Sequence, residues 1–231
     1  MLEKNKIYCM DCLEGLKQLE DDSVDCIITD PPYNIDLKPQ RGLTDAIEND
    51  SFSKEIEFSA WFVPIIKELD RVLKPDSFVI MFTGWSTIPL FRSILDSYWD
   101  LKSMPVWIKN NFGIGYYTRP QYEPCFLYFK GKPAVLNKAI SDVWIFNKVL
   151  VPVHSCEKPL DLMKFIVNSF TSKGQTVIDP FSGVGNSLVA CKYLERSFIG
   201  FELNKDYVEE ASKRLKNIQD NRLDKYTEES K

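Results

Sequence analysis

Two short stretches, far apart in the chain, carry residue types from which chemistry can be built. The first is Asp30-Pro31-Pro32-Tyr33. Each proline fixes its own φ and restricts the residue before it, so the segment holds one carboxylate and its carbonyls in few conformations. A carboxylate and a fixed carbonyl can accept both hydrogens of an exocyclic amine, and the Tyr33 ring offers a stacking face to a planar heterocycle. Taken alone, the tetrapeptide reads equally as a strand end, a rigid turn and a solvated aspartate. The second stretch is Asp179-Pro180-Phe181-Ser182-Gly183-Val184-Gly185. Its glycines allow close backbone approach to a ligand, and a helix starting after them presents unpaired N–H groups to an anion. Glu202 follows Gly183 by 19 positions, close to the spacing of about 20 at which an acidic residue reaches ribose hydroxyls.

These residues need elements to hold them. Val24, Cys26, Ile27 and Ile28 form an apolar run that stops at the prolines, the pattern of a strand buried on both faces. Residues 176–181 predict a second strand, followed by a helix over 187–194, a strand over 197–203 and a helix face at Val208, Ala211, Leu215 and Ile218. Upstream, residues 7–11 predict a short strand, and Leu13, Leu16 and Leu19 a helix. Phe58, Trp61, Phe62, Ile65, Leu69 and Val72 mark an amphipathic helix, with Pro64 expected in its first turn or at a kink. Residues 77–83 predict a buried strand, 87–97 a helix, and 102–109 with 123–130 a pair of antiparallel strands. Residues 139–155 show no clear period, and Leu162, Met163, Ile166, Val167 and Phe170 define one more helix. Strands alternating with helices imply an α/β fold, a mostly parallel sheet with helices on both faces.

Composition narrows the classes. With 231 residues, 44% hydrophobic and 27% charged, the chain predicts a single domain over residues 1–231 with a sizeable core. No apolar run approaches the roughly 18 residues of a membrane span and the charged start lacks a signal-peptide core, so a cytoplasmic protein without membrane contact is expected. The six cysteines are scattered. Cys9 and Cys12 have C-x-x-C spacing but no second pair, and the one histidine, His154, is remote, so reduced thiols and no metal site are expected.

Charge is unevenly spread. Residues 35–57 lose periodicity and hold three basic against six acidic residues, which predicts a flap over about 34–57 beside the Asp30 turn. Residues 102–138 hold six basic residues against Glu123 alone, in a chain of net charge −4. Trp107, Phe112, Tyr116, Tyr117, Tyr122, Phe126, Tyr128 and Phe129 are interleaved with those charges. Concentrated positive charge draws in phosphates, and the loop from Gly113 to Arg119 carries aromatic and basic groups together. Trp107, Phe126 and Phe129 are assigned to the core, while the others stand open between core and ligand contact.

Asp30-Pro31-Pro32-Tyr33 followed later by Phe181-Ser182-Gly183-Val184-Gly185 resembles the DNA amino-methyltransferases, and more closely the adenine-N6 group in which the catalytic tetrapeptide precedes the cofactor glycines. The likeness runs from about residue 7 to about residue 215. It implies a Rossmann-like class I methyltransferase fold with circularly permuted motif order, S-adenosyl-L-methionine as cofactor and DNA as substrate. The implied catalytic residues are Asp30, Pro31, Pro32 and Tyr33. The implied cofactor residues are Asp11 and Cys12 beside the adenine, with Asp30, Lys158, Asp179, Phe181, Ser182, Gly183, Gly185, Asn186, Ser187, Glu202 and Leu203. For DNA the expected contacts are Lys38, Arg41, Lys109, Tyr116, Tyr117 and Arg119, with a short target-recognition region within about 110–155. A homodimer and a cognate restriction endonuclease are further partners that the resemblance allows.

The chain departs from that family's pattern at Ser155, Cys156 and Glu157, where Pro-Thr-Gln is usual, and at Asn186, where Thr is usual. Those changes leave the roles of His154 and Lys158 open, and Lys158-Pro159 also reads as a plain helix start. Three readings compete with adenine-N6 transfer. Cytosine-N4 transfer attacks an exocyclic amine too, although Asp rather than Ser at position 30 favours adenine. A non-catalytic, methyltransferase-like DNA-binding subunit would not need the intact motifs. A nicotinamide oxidoreductase would want a third glycine where Leu188 stands.

Overall fold

The computed structural model describes residues 2–35, 48–113, 115–136, 138–149 and 157–228, with side chains followed to residue 218. Within those residues nine strands form one sheet. Its order is β1 (Lys6–Cys9), β9 (Ser197–Glu202), β8 (Thr176–Asp179), β2 (Val24–Thr29), β3 (Leu73–Phe82), β6 (Tyr122–Lys130), β5 (Val106–Ile108) and β7 (Val143–Ile145), with β4 (Asp100–Ser103) also paired to β6. The strands from β1 to β3 run parallel, and β6 is antiparallel to β3.

The continuous apolar run of β2 has a direct explanation. Ile27 points into a cluster with Phe58, Phe62 and Phe91, while Cys26 and Ile28 point into another with Leu162, Ile166 and Leu188. One face is covered by α1 (Cys12–Leu16), α2 (Glu55–Val72) and α3 (Ile88–Leu95), the other by α4 (Leu160–Phe170), α5 (Asn186–Tyr193) and α6 (Lys205–Glu228). A strand enclosed on both faces cannot alternate polar and apolar residues. No helix among the described residues is long and apolar enough to cross a membrane.

Three expectations are revised and a fourth is narrowed. Pro64 sits in the interior of α2 and not in its first turn, because the helix begins at Glu55, ahead of the apolar stripe. Glu55 and Glu57 favour that earlier start by facing the positive end of the helix. The strand expected over 102–109 is broken into β4 and β5 at Met104-Pro105. Pro105 has no N–H to give, and its carbonyl accepts from the Cys125 amide at 2.8 Å. Both pieces are antiparallel to β6, as the spacing predicts. Strand β7, inside the stretch without period, is parallel to β5 and buries Trp144. Trp107, Phe126 and Tyr128 are core residues, whereas Phe129 is half-buried, edge-on to Phe78.

Candidate active site

Both motifs lie at the carboxyl ends of adjacent strands. β2 and β8 pair through Cys26 with Val177 and Ile27 with Ile178, so the chain emerges from both at one edge of the sheet. A cavity of about 410 Å³ opens there, lined by Asp30 to Tyr33 and by Asp179 to Val184. In open α/β sheets this edge is where ligands bind.

The Asp30 turn is held from several sides. Pro31 is buried, and the Tyr33 amide donates to Asp50 Oδ1 at 2.8 Å. Asn34 adopts a positive φ of 59°, and its side-chain oxygen accepts from the Phe52 amide at 2.8 Å. The two ends of the expected flap are thus tied together beneath the site; its residues 36–47, with Lys38 and Arg41, lie outside the described residues. Phe52 packs on Trp61, whose ring lies 5.9 Å from that of Phe181 in the glycine loop.

Among the described residues the Asp30 carboxylate has two hydrogen-bonding partners. The Tyr33 hydroxyl donates to Oδ1 and the Lys158 ammonium to Oδ2. Lys158, whose side chain is only 7% exposed, also lies 3.0 Å from Glu123 Oε2, and Glu123 is ion-paired with Lys109. Four charges therefore alternate in sign from Lys109 through Glu123 and Lys158 to Asp30. The Lys158 ammonium also faces the Phe82 ring at 5.0 Å and the Tyr33 ring at 5.9 Å, contacts that favour a cation. Burial works to raise the Glu123 carboxyl, but the Lys158 and Lys109 ammoniums outweigh it and hold Glu123 below the ordinary carboxylate range.

On the opposite wall, Gly183 and Gly185 have φ of 50° and 78°, a region that side chains with a Cβ rarely adopt. A Cβ on Gly183 would meet nothing within 4 Å, so this backbone stands open, whereas one on Gly185 would lie 2.7 Å from Ala211 Cβ. The Gly183 amide donates to Glu202 Oε2 at 2.9 Å and the Asn204 amide to Oε1 at 2.8 Å. Burial raises the Glu202 carboxyl, with those amides pulling the other way. Asp179 accepts from Thr29, Ser187 and the Phe181 amide; burial nonetheless raises it to about 6. Asp179 and Ser187 therefore brace the loop through each other.

The remaining expected residues divide. Asp11 caps α1 by accepting from the Leu13 and Glu14 amides at 2.9 and 3.2 Å, and it lines the cavity with Cys12, Ser182 and Leu203. Cys12 is buried and its thiol is pushed up to about 12, so it stays protonated. Lys109 is ion-paired with Glu123 and lines the cavity. Tyr116 and Tyr117 are 94% and 95% exposed, and the Arg119 guanidinium lies 5.6 Å from the Phe112 ring centre. These three do not line the cavity. His154, Ser155 and Cys156 lie outside the described residues.

Two departures from the family pattern meet each other. The Asn186 amide nitrogen donates to Glu157 Oε1 at 2.9 Å and to the Lys158 carbonyl at 2.8 Å. Arg214 then bridges Glu157 at 2.8 Å and the Asn186 side-chain oxygen at 2.9 Å. The residues that replace Gln and Thr are a matched pair, which fixes the backbone of Lys158 against the start of α5. Sequence reasoning missed Glu123, Asp50 and the cavity-lining Trp85, which carried a signal as an aromatic directly after the glycine that ends a buried strand; Tyr122, left open between core and ligand contact, lines the cavity.

Comparison with known proteins gives the arrangement a class and then a family. The fold is that of the class I methyltransferases. A solved M1.HpyAVI–SAM complex superposes with a TM-score of 0.69 over 91% of this chain and 98% of its own, at 28% identity. The cytosine-N4-specific PvuII DNA methyltransferase superposes with a TM-score of 0.74 over 93% of this chain and 89% of its own; at 17% identity it speaks for the fold alone. A family model described as DNA methylase, that of the N6 and N4 methyltransferases, matches residues 24–213. The Type II methyltransferase M.HpaI of Haemophilus parainfluenzae is 33% identical over 91% of this chain and 74% of its own. DNA adenine methyltransferase YhdJ of Escherichia coli K12 is 27% identical over 92% of this chain and 83% of its own. The chain belongs to the N6/N4 DNA methylase family.

Proposed function

We propose that the protein methylates the exocyclic N6 of adenine in DNA, with S-adenosyl-L-methionine as methyl donor. The observation that carries this reading is the shared cavity: an acidic Pro-Pro turn with an aromatic ring faces an open glycine loop that has a carboxylate at its rim. The residues present fit the donor. Gly183 leaves room for its amino-acid end, Glu202 offers a carboxylate for ribose hydroxyls, and Asp11, Cys12, Phe181 and Leu203 complete the wall. When bound, the donor supplies an electrophilic methyl group on a sulfonium centre.

The chain's own residues then have distinct tasks. The N6 lone pair of adenine is delocalised into its ring, which makes the amine a poor nucleophile. Asp30 and the Pro31 carbonyl accept the two amine hydrogens, favouring a more pyramidal nitrogen with its lone pair turned toward the methyl group. Tyr33 stacks on the base. That base must leave the duplex, at a cost of a few kcal/mol that stacking and edge contacts offset. An apolar, water-poor cavity favours transfer because the sulfonium charge disappears, and alignment of the reacting atoms supplies much of the rest. Transfer is direct and in line, with no covalent enzyme–base adduct, and the proton shed by the nitrogen passes toward Asp30. Tyr116, Tyr117 and Arg119 belong to the DNA-facing surface, within a recognition region at about 110–155 of a one-domain enzyme.

Cytosine-N4 transfer is the second reading, since it would use the same turn. Aspartate at position 30 and the likeness to a DNA adenine methyltransferase favour adenine. The test is incubation with methyl donor and mixed-sequence DNA, followed by nucleoside analysis. N6-methyladenine is expected; N4-methylcytosine would replace the reading, and no modified base in the presence of bound donor would point to a non-catalytic subunit.

A further inference from the structure

Asp30 is the group on which the proposed function most depends, yet both of its oxygens are engaged by the protein. Tyr33 donates to one and Lys158 to the other. A primary ammonium donating to this carboxylate, within reach of the Tyr33 ring and inside the cavity, offers the same N–H chemistry as the target amine. The two compete for one acceptor. Lys158 cannot leave for water, since its side chain is almost wholly enclosed. It has a second carboxylate close by: Glu123 Oε2, shut off from solvent and accepting no hydrogen bond of good geometry among the described residues, lies 3.0 Å from the ammonium.

We propose that Lys158 is an internal stand-in for the target amine, and that Glu123 is the positioning residue that receives its ammonium when the flipped base arrives. This inference rests on the functional reading above and adds a specific step to it. A carboxylate enclosed in a cavity is costly without a partner. The ammonium beside it compensates the Asp30 charge between turnovers. When the base enters, a small swing of Lys158 toward Glu123 exchanges one hydrogen bond for another while the cation remains paired throughout. Lys109 has a supporting part: it shares Glu123, so the receiving carboxylate is itself never left unpaired. The matched Asn186–Glu157 pair holds the Lys158 backbone in place, so the motion is confined to the side chain.

The experiment compares wild type with Glu123→Gln, Lys158→Met and the double variant, in steady-state methylation of mixed-sequence DNA, with cofactor binding by calorimetry as the control for folding. Glu123→Gln removes the receiving charge and leaves Lys158 on Asp30, so kcat/KM for DNA falls about tenfold, with cofactor affinity within about twofold of wild type. Adding Lys158→Met to it recovers about fivefold or more of that loss, because the competitor is gone. In the Lys158→Met background, Glu123→Gln lowers kcat/KM by less than about twofold, because no ammonium remains to be received. A double variant no faster than Glu123→Gln would overturn the proposal, since a purely structural ion pair gives no recovery. A Glu123→Gln loss as large in the Lys158→Met background as in wild type would overturn it too. If Glu123→Gln fails to bind cofactor, Glu123→Asp is read instead: its shorter side chain lowers kcat/KM for DNA, and a wild-type value would overturn the proposal. A wild type that methylates no DNA defeats the functional reading, whereas an active wild type with unmoved variants defeats this inference alone.

Discussion

The Thr29 hydroxyl donates to Asp179 Oδ1 at 2.8 Å across 150 positions of sequence. Thr29 is the last residue of β2 and Asp179 the last of β8. This single bond therefore joins the residue before the acidic turn to the residue that opens the glycine loop. Both partners are buried, at 1% and 4% exposure, so neither can turn to water instead. Replacing Thr29 by Val removes one of the two donors to Asp179 Oδ1 and leaves it only the Phe181 amide at 3.1 Å. A loss of about 1–3 kcal/mol in stability is expected, measured as a lowered urea midpoint, together with weaker cofactor binding, because the loop loses its register to the turn.

The same carboxyl gives stability a pH signature. Asp179 is held at about 6 in the fold, against about 3.9 in an unfolded chain. Below both values each state holds the proton and the group contributes no difference. As pH rises from about 4 to about 6 the folded form keeps a proton that the unfolded form has lost, so stability falls, by up to about 3 kcal/mol, and then levels. Asp179→Asn removes this component. Denaturation midpoints across that window should show the difference; parallel curves for variant and wild type would refute it.

Asp30→Ala removes the acceptor for the target amine and leaves the glycine loop alone. Methyl transfer should fall more than about a hundredfold, while cofactor affinity changes little. Nucleoside analysis and calorimetry on the same preparation separate the two effects. Transfer near the wild-type rate would mean that Asp30 has another role.

The two glycines of the loop should fail differently. Alanine at either position must adopt a left-handed conformation, at roughly 1–3 kcal/mol. At position 185 the added carbon also meets Ala211 at 2.7 Å, whereas at 183 it meets no protein atom. Gly185→Ala should therefore lower the melting temperature more than Gly183→Ala does, and Gly183→Ala should lose cofactor affinity out of proportion to its stability. Thermal scans with and without the donor distinguish them.

Arg119 sits on the exposed loop, its guanidinium beside Phe112 and its Nε donating to the Gly113 carbonyl at 3.0 Å. If it meets one phosphate, Arg119→Ala should weaken DNA binding equally for all sequences and reduce the slope of log K against log salt by about 0.9. An unchanged affinity and slope would remove the loop from the interface.

How much of this was legible beforehand depended on whether the signal was local. The acidic turn is local: an apolar run stopped by two prolines can hardly end otherwise. So is the glycine loop, where two left-handed positions demand glycine. The chain Lys109–Glu123–Lys158–Asp30 was illegible, because a lone acid among aromatics shows a charge but no direction. The sum of charges in a segment does not say that Lys109 pairs with Glu123 at the cavity wall. The first-turn alternative for Pro64 fails because the helix draws its first turn from acidic residues ahead of the hydrophobic stripe. β7 has three residues, too few for a period, and exists through its pairing with β5. The exchange at Glu157 and Asn186 looked like two independent departures until Arg214 was seen to bridge them.

The sheet order has a consequence for how the chain is made. β1 and β2 leave the ribosome early, but their partners β9 and β8 are among the last strands synthesised. Among the described strands β1 pairs with β9 alone and β2 with β8 and β3, so β1 has no partner and β2 keeps one edge unpaired until β8 and β9 are made, which calls for long-range closure and slows assembly. The half of the sheet that would seat the methyl donor thus completes late. A fragment ending before Thr176 would carry the acidic turn with nothing opposite it.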